Sequence, residues 1–306
     1  MKYRKVGNQT LSRIMVGCMR IAEKPLAQTE ALIVEAVRAG VNAFDNADIY
    51  GRGSCEKVFG VAVKDIGLAR EEYILQTKCG IRHAEFGSYY DFSKEHILAS
   101  ADSSLQRLKT EYIDILLLHR PDALMEGEEI AEAFLRLKGS GKVRAFGVSN
   151  FSASQMRTLQ SYGVEIVANQ LQFSLGHTAL VDAGFNVNTN APEAITRAGD
   201  ALEYCIERNI AVQAWSPMQY GFFEGVFVGN ERFPVLNQKL DIMAEKYGVT
   251  PSAIALAWIL RHPAQMQVVT GTTTPERMRD LVAAADVDLT REEWYELYRA
   301  VPKPLP

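Results

Sequence analysis

A chain of 306 residues, 47% hydrophobic and 23% charged, has ordinary globular composition and room for two domains or one large α/β barrel. A net charge of −4 gives no general electrostatic case for nucleic acid or an anionic membrane, so the expected partner is a small molecule. No window reaches the ~18 consecutive apolar residues of a membrane span, and Met1 to Gly7 lacks the apolar core of a signal peptide.

Tyr3 to Gly7 and Leu11 to Gly17 read as two short strands around a Gly7-Asn8-Gln9 turn. The second leads into the loop Cys18-Met19-Arg20. Thr29 to Gly40 reads as a helix, with apolar residues at 32, 33, 36 and 37 on one face and Gly40 suited to the C-cap. The strand opening at Val41 ends near Asp45, where the chain turns out. Further helices are expected at 54–65, 94–108, 127–138, 152–161, 196–208, 235–247, 251–261, 275–285 and 290–300. Strands are expected at 73–78, 113–118, 143–148, 165–169, 210–215 and 267–270. Such alternation implies parallel strands with right-handed crossovers. The runs at 115–118 and 143–148 lack clean polar alternation, as strands covered on both faces do. About eight strand–helix units follow the hairpin, and no Pro/Gly/Ser-rich linker divides them. Residues 1–306 therefore read as one α/β domain, a (β/α)8 TIM barrel. Long connections follow strand six (Leu171 to Pro192) and strand seven (Met218 to Pro234), lengths typical of functional loops. Tyr220, Phe222, Phe223, Phe227 and Phe233 in the second are either a cover over something flat and apolar or a satellite core.

Four polar residues lie at or just past the ends of three strand-like runs. Asp45 ends one, Tyr50 follows five residues on, Lys78 ends Tyr73 to Thr77, and His119 ends Ile113 to Leu118. Strand carboxyl ends converge on the site in barrels and open α/β sheets. A tyrosine hydroxyl with a pKa near 10 is a poor acid unless tuned. A neighbouring lysine ammonium lowers that pKa, an aspartate holds the lysine, and a histidine orients a substrate oxygen. Together they form an acid for a carbonyl oxygen, a device that needs a partner adding to the carbonyl carbon; hydride from a nicotinamide cofactor would complete it. No Gly-x-Gly-x-x-Gly follows the first strand. Thr270 to Arg277 offers a phosphate site instead: Gly271 for close approach, threonine hydroxyls, Pro275 opening a helix, and Arg277. The same residues also suit an ordinary capped helix with a surface arginine. Cys18, Cys55, Cys79 and Cys205 have neither metal-ligand nor disulfide-framework spacing, which fits a reducing cytoplasm. Cys79 reads as a small packing residue.

In order along the chain, Asp45-Asn46-Ala47-Asp48-Ile49-Tyr50-Gly51, Lys78, Leu116 to Asp122, Gly141 to Arg144 leading to Gly147-Val148-Ser149-Asn150-Phe151, Asn169-Gln170, and Ala214-Trp215-Ser216-Pro217-Met218 together resemble the aldo-keto reductase superfamily. The likeness covers nearly the whole chain. It is greatest to bacterial oxidoreductases that also resemble potassium-channel β-subunits. The resemblance implies Tyr50 as proton donor, Asp45 and Lys78 tuning it, and His119 orienting the carbonyl. It implies Ser149, Asn150 and Gln170 at the nicotinamide carboxamide, Trp215 stacked on its ring, and Ser216, Pro217 and Met218 along the pyrophosphate. Gly271, Thr272 and Arg277 fall at the adenosine phosphate. Gly271 stands where many relatives have a lysine for the 2′-phosphate, and Leu281 where many have an asparagine. NADPH is expected through Arg277, with NADH use left open. Met19 and Arg20 are expected in the substrate pocket, Arg20 facing an anionic substrate or a salt bridge within its loop. Two rival readings are a Schiff-base barrel aldolase using Lys78 and a nucleotide-sensing regulatory subunit with little turnover.

Overall fold

The computed structural model describes residues 1–302 and 305–306. Strands β1 (Tyr3–Val6) and β2 (Gln9–Ser12) form an antiparallel hairpin, and β3 (Ile14–Gly17) and β4 (Ala43–Asp45) are the first two parallel strands. After β5 (Ile74–Cys79) a second antiparallel hairpin, β6 (Ile81–Ala84) and β7 (Gly87–Tyr90), projects from the ring. The barrel continues through β8 (Ile113–Leu118), β9 (Val143–Ser149), β10 (Ala168–Gln172), β11 (Ala211–Trp215) and β12 (Gln267–Thr270). All eight ring strands pair in parallel and in chain order, and β12 returns to β3 to close the barrel. Helices cover the outside. The (β/α)8 barrel expected from the alternation is thus the observed fold.

The departures have local causes. Leu11 to Gly17 is two strands rather than one, because the first arm pairs antiparallel in the hairpin and the second parallel in the barrel. The chain bends at Arg13, whose guanidinium is fixed to the Leu260 and Met266 carbonyls (2.6 and 3.1 Å). The sixth barrel strand is displaced to Ala168–Gln172, which puts Gln170 inside the strand. The connection after it carries an unexpected helix, Ala179–Phe185. The expected 196–208 helix shortens to Ala201–Glu207, entered through Asp200 at φ +54°.

The hairpin closes the barrel's N-terminal end. Val6 and Leu11 are buried there with Met15, Ile115, Leu117, Val167 and Ala211. Beyond this apolar floor the lumen is polar. Gln76, Gln170, Gln213 and Gln267 are all buried. Gln267 Nε2 donates to the Ser12 carbonyl (2.9 Å), Gln213 Nε2 to Gln267 Oε1 (3.3 Å) and Gln76 Oε1 (3.0 Å), and Gln76 and Gln170 both donate to Gln213 Oε1 (2.8 and 3.2 Å). This glutamine ladder ends at Asp45.

Candidate active site

Asp45 is the last residue of β4, at the barrel's C-terminal mouth. Beyond it the chain is stitched along the edge of β5. The Asn46 amide donates to the Gln76 carbonyl (2.8 Å) and the Asp48 amide to that of Lys78 (3.0 Å). Gly51, Arg52 and Gly53 then take positive φ (53°, 55° and 86°), turning the chain sharply into the helix Ser54–Asp65. The glycines at 51 and 53 make that turn inexpensive. Tyr50 is thereby held against Lys78.

Lys78 is completely buried, and its ammonium donates to Asp45 Oδ2 (2.7 Å), the Asn46 carbonyl (2.8 Å) and Tyr50 Oη (3.0 Å). An ammonium has three hydrogens. All three are committed, so Tyr50 Oη is an acceptor toward Lys78 and its own proton is left for another partner. Asp45 Oδ1 accepts from Gln76 (2.6 Å) and Gln170 (3.0 Å). His119 completes the group, its ring edge-on to Tyr50 at 5.8 Å and 80°. The structure brings all four expected residues together.

Burial is the largest influence on these groups. It raises the Tyr50 pKa above 10, and the Lys78 charge only partly offsets it. The downward pull expected from Lys78 is therefore present but outweighed, and the hydroxyl is protonated at neutral pH. For Lys78, burial opposes the charge, but Asp45 and Tyr50 overcome it and the pKa is raised. Burial, then Lys78 and Arg120, hold His119 well below its usual value, so its imidazole is neutral. His119 Nδ1 is buried with no partner among the described residues.

Around this centre, Asn150 takes φ +63° just past β9 and Ser216 takes φ +49° just past β11. Such strain in non-glycine residues gathers at functional sites. Asn150 Nδ2 donates to Ser149 Oγ (2.8 Å), Ser149 Oγ to the Gln170 carbonyl (3.0 Å), and the Trp215 indole N–H to Asn150 Oδ1 (3.0 Å). Gln170 spends its amide N–H groups on Asp45 and Gln213. Pro217 is buried and Met218 half-buried, its carbonyl taking the Phe227 amide (3.1 Å). The aromatic residues of the seventh-strand loop divide into a buried and an exposed group. Phe227 is part of the main core, with half-buried Phe233 and Tyr220 packed against it, while exposed Phe222 and Phe223 stand 6.1 and 6.3 Å from Trp215.

Gly271 and Thr272 lead into the helix Pro275–Val282, whose N-cap Thr274 makes no side-chain cap bond. Arg277 is exposed there, with no ion-pair partner among the described residues. Arg20 reaches across and donates to the Gly271 carbonyl. It makes no salt bridge within its loop, and a Cβ on residue 271 would lie 3.0 Å from its Nη2. Met19 is exposed on the same first-strand loop. Cys79 is buried and its thiol pushed well above its usual range, as a packing residue should be.

Sequence reasoning missed Gln76 and Gln213, which fasten Asp45 and Gln170, and Arg120, which lies over the Trp215 ring at 5.6 Å. A signal existed for the glutamines: a polar residue inside a strand covered on both faces requires a buried partner.

A parallel barrel whose mouth holds a buried lysine, a carboxylate, a tyrosine and a neutral histidine has the make-up of an enzyme of proton-coupled chemistry. The sequence profile of the aldo/keto reductase family matches residues 13–301. The chain belongs to the aldo/keto reductase family and is an oxidoreductase of that family. It is 37% identical over 301 residues to the uncharacterized oxidoreductase YcsN of Bacillus subtilis (strain 168), covering 95% of this chain and 94% of that one. It is 36% identical over 299 residues to a 6-dehydroglucose reductase of Agrobacterium fabrum, covering 94% and 93%. Among solved structures, an aldo/keto reductase from Klebsiella pneumoniae in complex with NADP and acetate superposes with a TM-score of 0.77 at 25% identity, covering 98% of this chain and 95% of that one. Among the described residues no helix is long and apolar enough to cross a membrane.

Proposed function

We propose that this chain reduces aldehydes or ketones to alcohols, using a nicotinamide nucleotide and Tyr50 as proton donor. The observation that carries this reading is the full commitment of the Lys78 ammonium. It fixes Tyr50 Oη as an acceptor on its inner side and turns its proton outward. Asp45 and the two glutamines on it hold the ammonium charged, and neutral His119, beside Tyr50, orients the carbonyl oxygen. The residues nearby fit the nucleotide: an indole pinned by Asn150, a bare glycine at 271, an uncapped helix start, and the guanidinium groups of Arg20 and Arg277. When bound, such a nucleotide supplies the hydride taken up by the carbonyl carbon. The NADP-bound Klebsiella relative supports the same assignment. Lys78 as a Schiff-base nucleophile is disfavoured, since that chemistry needs a lowered lysine pKa and this one is raised.

The test is oxidation of NADPH and of NADH against a panel of aldehydes, ketones and quinones. Turnover of some members is expected. Tight nucleotide binding with negligible turnover throughout would replace the reading with that of a nucleotide-sensing subunit. Trapping of the chain by borohydride with a carbonyl substrate would instead favour the aldolase.

A further inference from the structure

The guanidinium of Arg120 has an unusual setting. It follows His119 at the mouth of β8, half-buried, over the Trp215 ring at 5.6 Å and the Phe222 ring at 5.4 Å. Tyr90, from the projecting hairpin, and Tyr50 are the ionisable groups that face it, and burial outweighs them to lower its pKa. Other partly buried arginines are matched: Arg70 pairs with Asp114 (2.6 Å), Arg107 with Glu56 (2.6 Å), and Arg13 is capped by carbonyls. Among the described residues Arg120 has neither a carboxylate nor a hydrogen-bond partner. A partly desolvated charge without a partner is costly and marks places where a ligand supplies the counter-charge. Rings cover the guanidinium, while the N–H groups lie in its plane, a fork that matches a carboxylate.

We propose that Arg120 selects the substrate by receiving the carboxylate of an oxo acid whose carbonyl oxygen is held at Tyr50. This rests on the reductase reading above and narrows it to carbonyl compounds that carry a carboxylate. Charge balance favours a monoanion. Lys78 is already neutralised by Asp45 (2.7 Å), so Arg120 contributes one uncompensated positive charge at this side of the mouth. Trp215, Phe222 and Tyr90 add flat walls suited to an aryl or short alkyl spacer. Arg20, the arginine the sequence offered for an anion, is engaged by Gly271 instead.

The experiment compares 4-formylbenzoate with 4-formylbenzamide, near-isosteric aldehydes that differ in charge. With wild type and reduced nucleotide, kcat/KM for the acid should exceed that for the amide by about ten- to a hundredfold, the worth of one charge-assisted contact. Arg120→Met should bring the ratio close to one, and Arg120→Lys should restore part of it. A wild-type ratio near one, or a ratio unchanged in Arg120→Met, overturns the proposal and leaves Arg120 as a support for the Trp215 loop. If neither aldehyde is turned over, the reductase reading is still decided by the wider panel, and binding decides this one. Calorimetry of benzoate and benzamide with protein and NADP should then show tighter benzoate binding that is lost in Arg120→Met. Equal binding of the two overturns the proposal.

Discussion

Among single residues at the mouth, two can be tested separately. Tyr50→Phe keeps the ring against His119 and removes only the hydroxyl. It should leave nucleotide affinity in place and lower carbonyl reduction by about a hundredfold or more, the worth of a positioned general acid. Turnover within a factor of two of wild type would remove Tyr50 from the mechanism. Asp48 supplies a pH test. Burial pushes its carboxyl up to about 7 from 3.8, Glu56 adds to the shift, and Arg107 only partly offsets it. Its Oδ1 is buried without a partner among the described residues. A folded pKa above the unfolded one means that the folded state keeps its proton longer. Stability is therefore lost as pH climbs from about 4 to about 7, and the penalty is complete above that. Asp48→Asn cannot ionise. Its stability relative to wild type should be near parity at about pH 4 and become favourable by ~1–3 kcal/mol at about pH 8, read by denaturant unfolding. A difference that does not change with pH would show that Asp48 is not titrating as its burial implies.

At the scale of elements, the helix Pro275–Val282 is the place to test the proposed choice between nucleotides. Arg277 lies in its first turn, where a guanidinium and free backbone N–H groups could converge on one phosphate, as the proposed nucleotide site requires. NADPH should bind better than NADH. Arg277→Ala should weaken NADPH by about ten- to a hundredfold and leave NADH nearly unchanged, as shown by titrating both nucleotides against both proteins. Equal losses would place Arg277 at the adenine or in support of the loop. Long, periodic helices such as Lys94–Leu108 were legible because tertiary packing and local pattern agree there. The projecting hairpin was not. Its strands have four residues each and are largely exposed, so they carry no apolar alternation to read. The shift of the sixth strand has a similar origin, since Val164, Ile166 and Val167 are buried just ahead of it and mimic strand residues.

For the molecule as a whole, the alternation of strand and helix made the barrel legible, and the four residues at or just past strand ends made the cluster at its mouth legible. The lumen was not, because its contacts join residues far apart in the chain: Gln76 and Gln213 are separated by 137 positions. The floor has the same non-local character. Leu11 is fully buried, and its hairpin plugs a ring whose strands come from the entire sequence. Leu11→Ala should therefore cost ~2–5 kcal/mol of global stability, through lost transfer energy and a cavity that the rigid ring cannot collapse. Thermal or denaturant unfolding would show one cooperative transition displaced downward. A variant as stable as wild type would mean that the barrel does not depend on its plug.

The glutamine ladder also governs disorder. An amide can sit in either of two orientations, and in a closed lumen each choice constrains the next. Turning Gln213 over would set its oxygen against those of Gln76 and Gln267, and its nitrogen against the amide groups of Gln76 and Gln170 that now donate to it. The reversal would have to run along the row, and at both ends it meets a group with no hydrogen to give, the Asp45 carboxylate and the Ser12 carbonyl. Asp45 and the Ser12 carbonyl thus set the polarity of four side chains together, much as a charged surface orders the protons in the first layers of ice. Held from both ends, the lumen has a single lowest arrangement, and the lysine and tyrosine beside Asp45 rest against a row of fixed orientation.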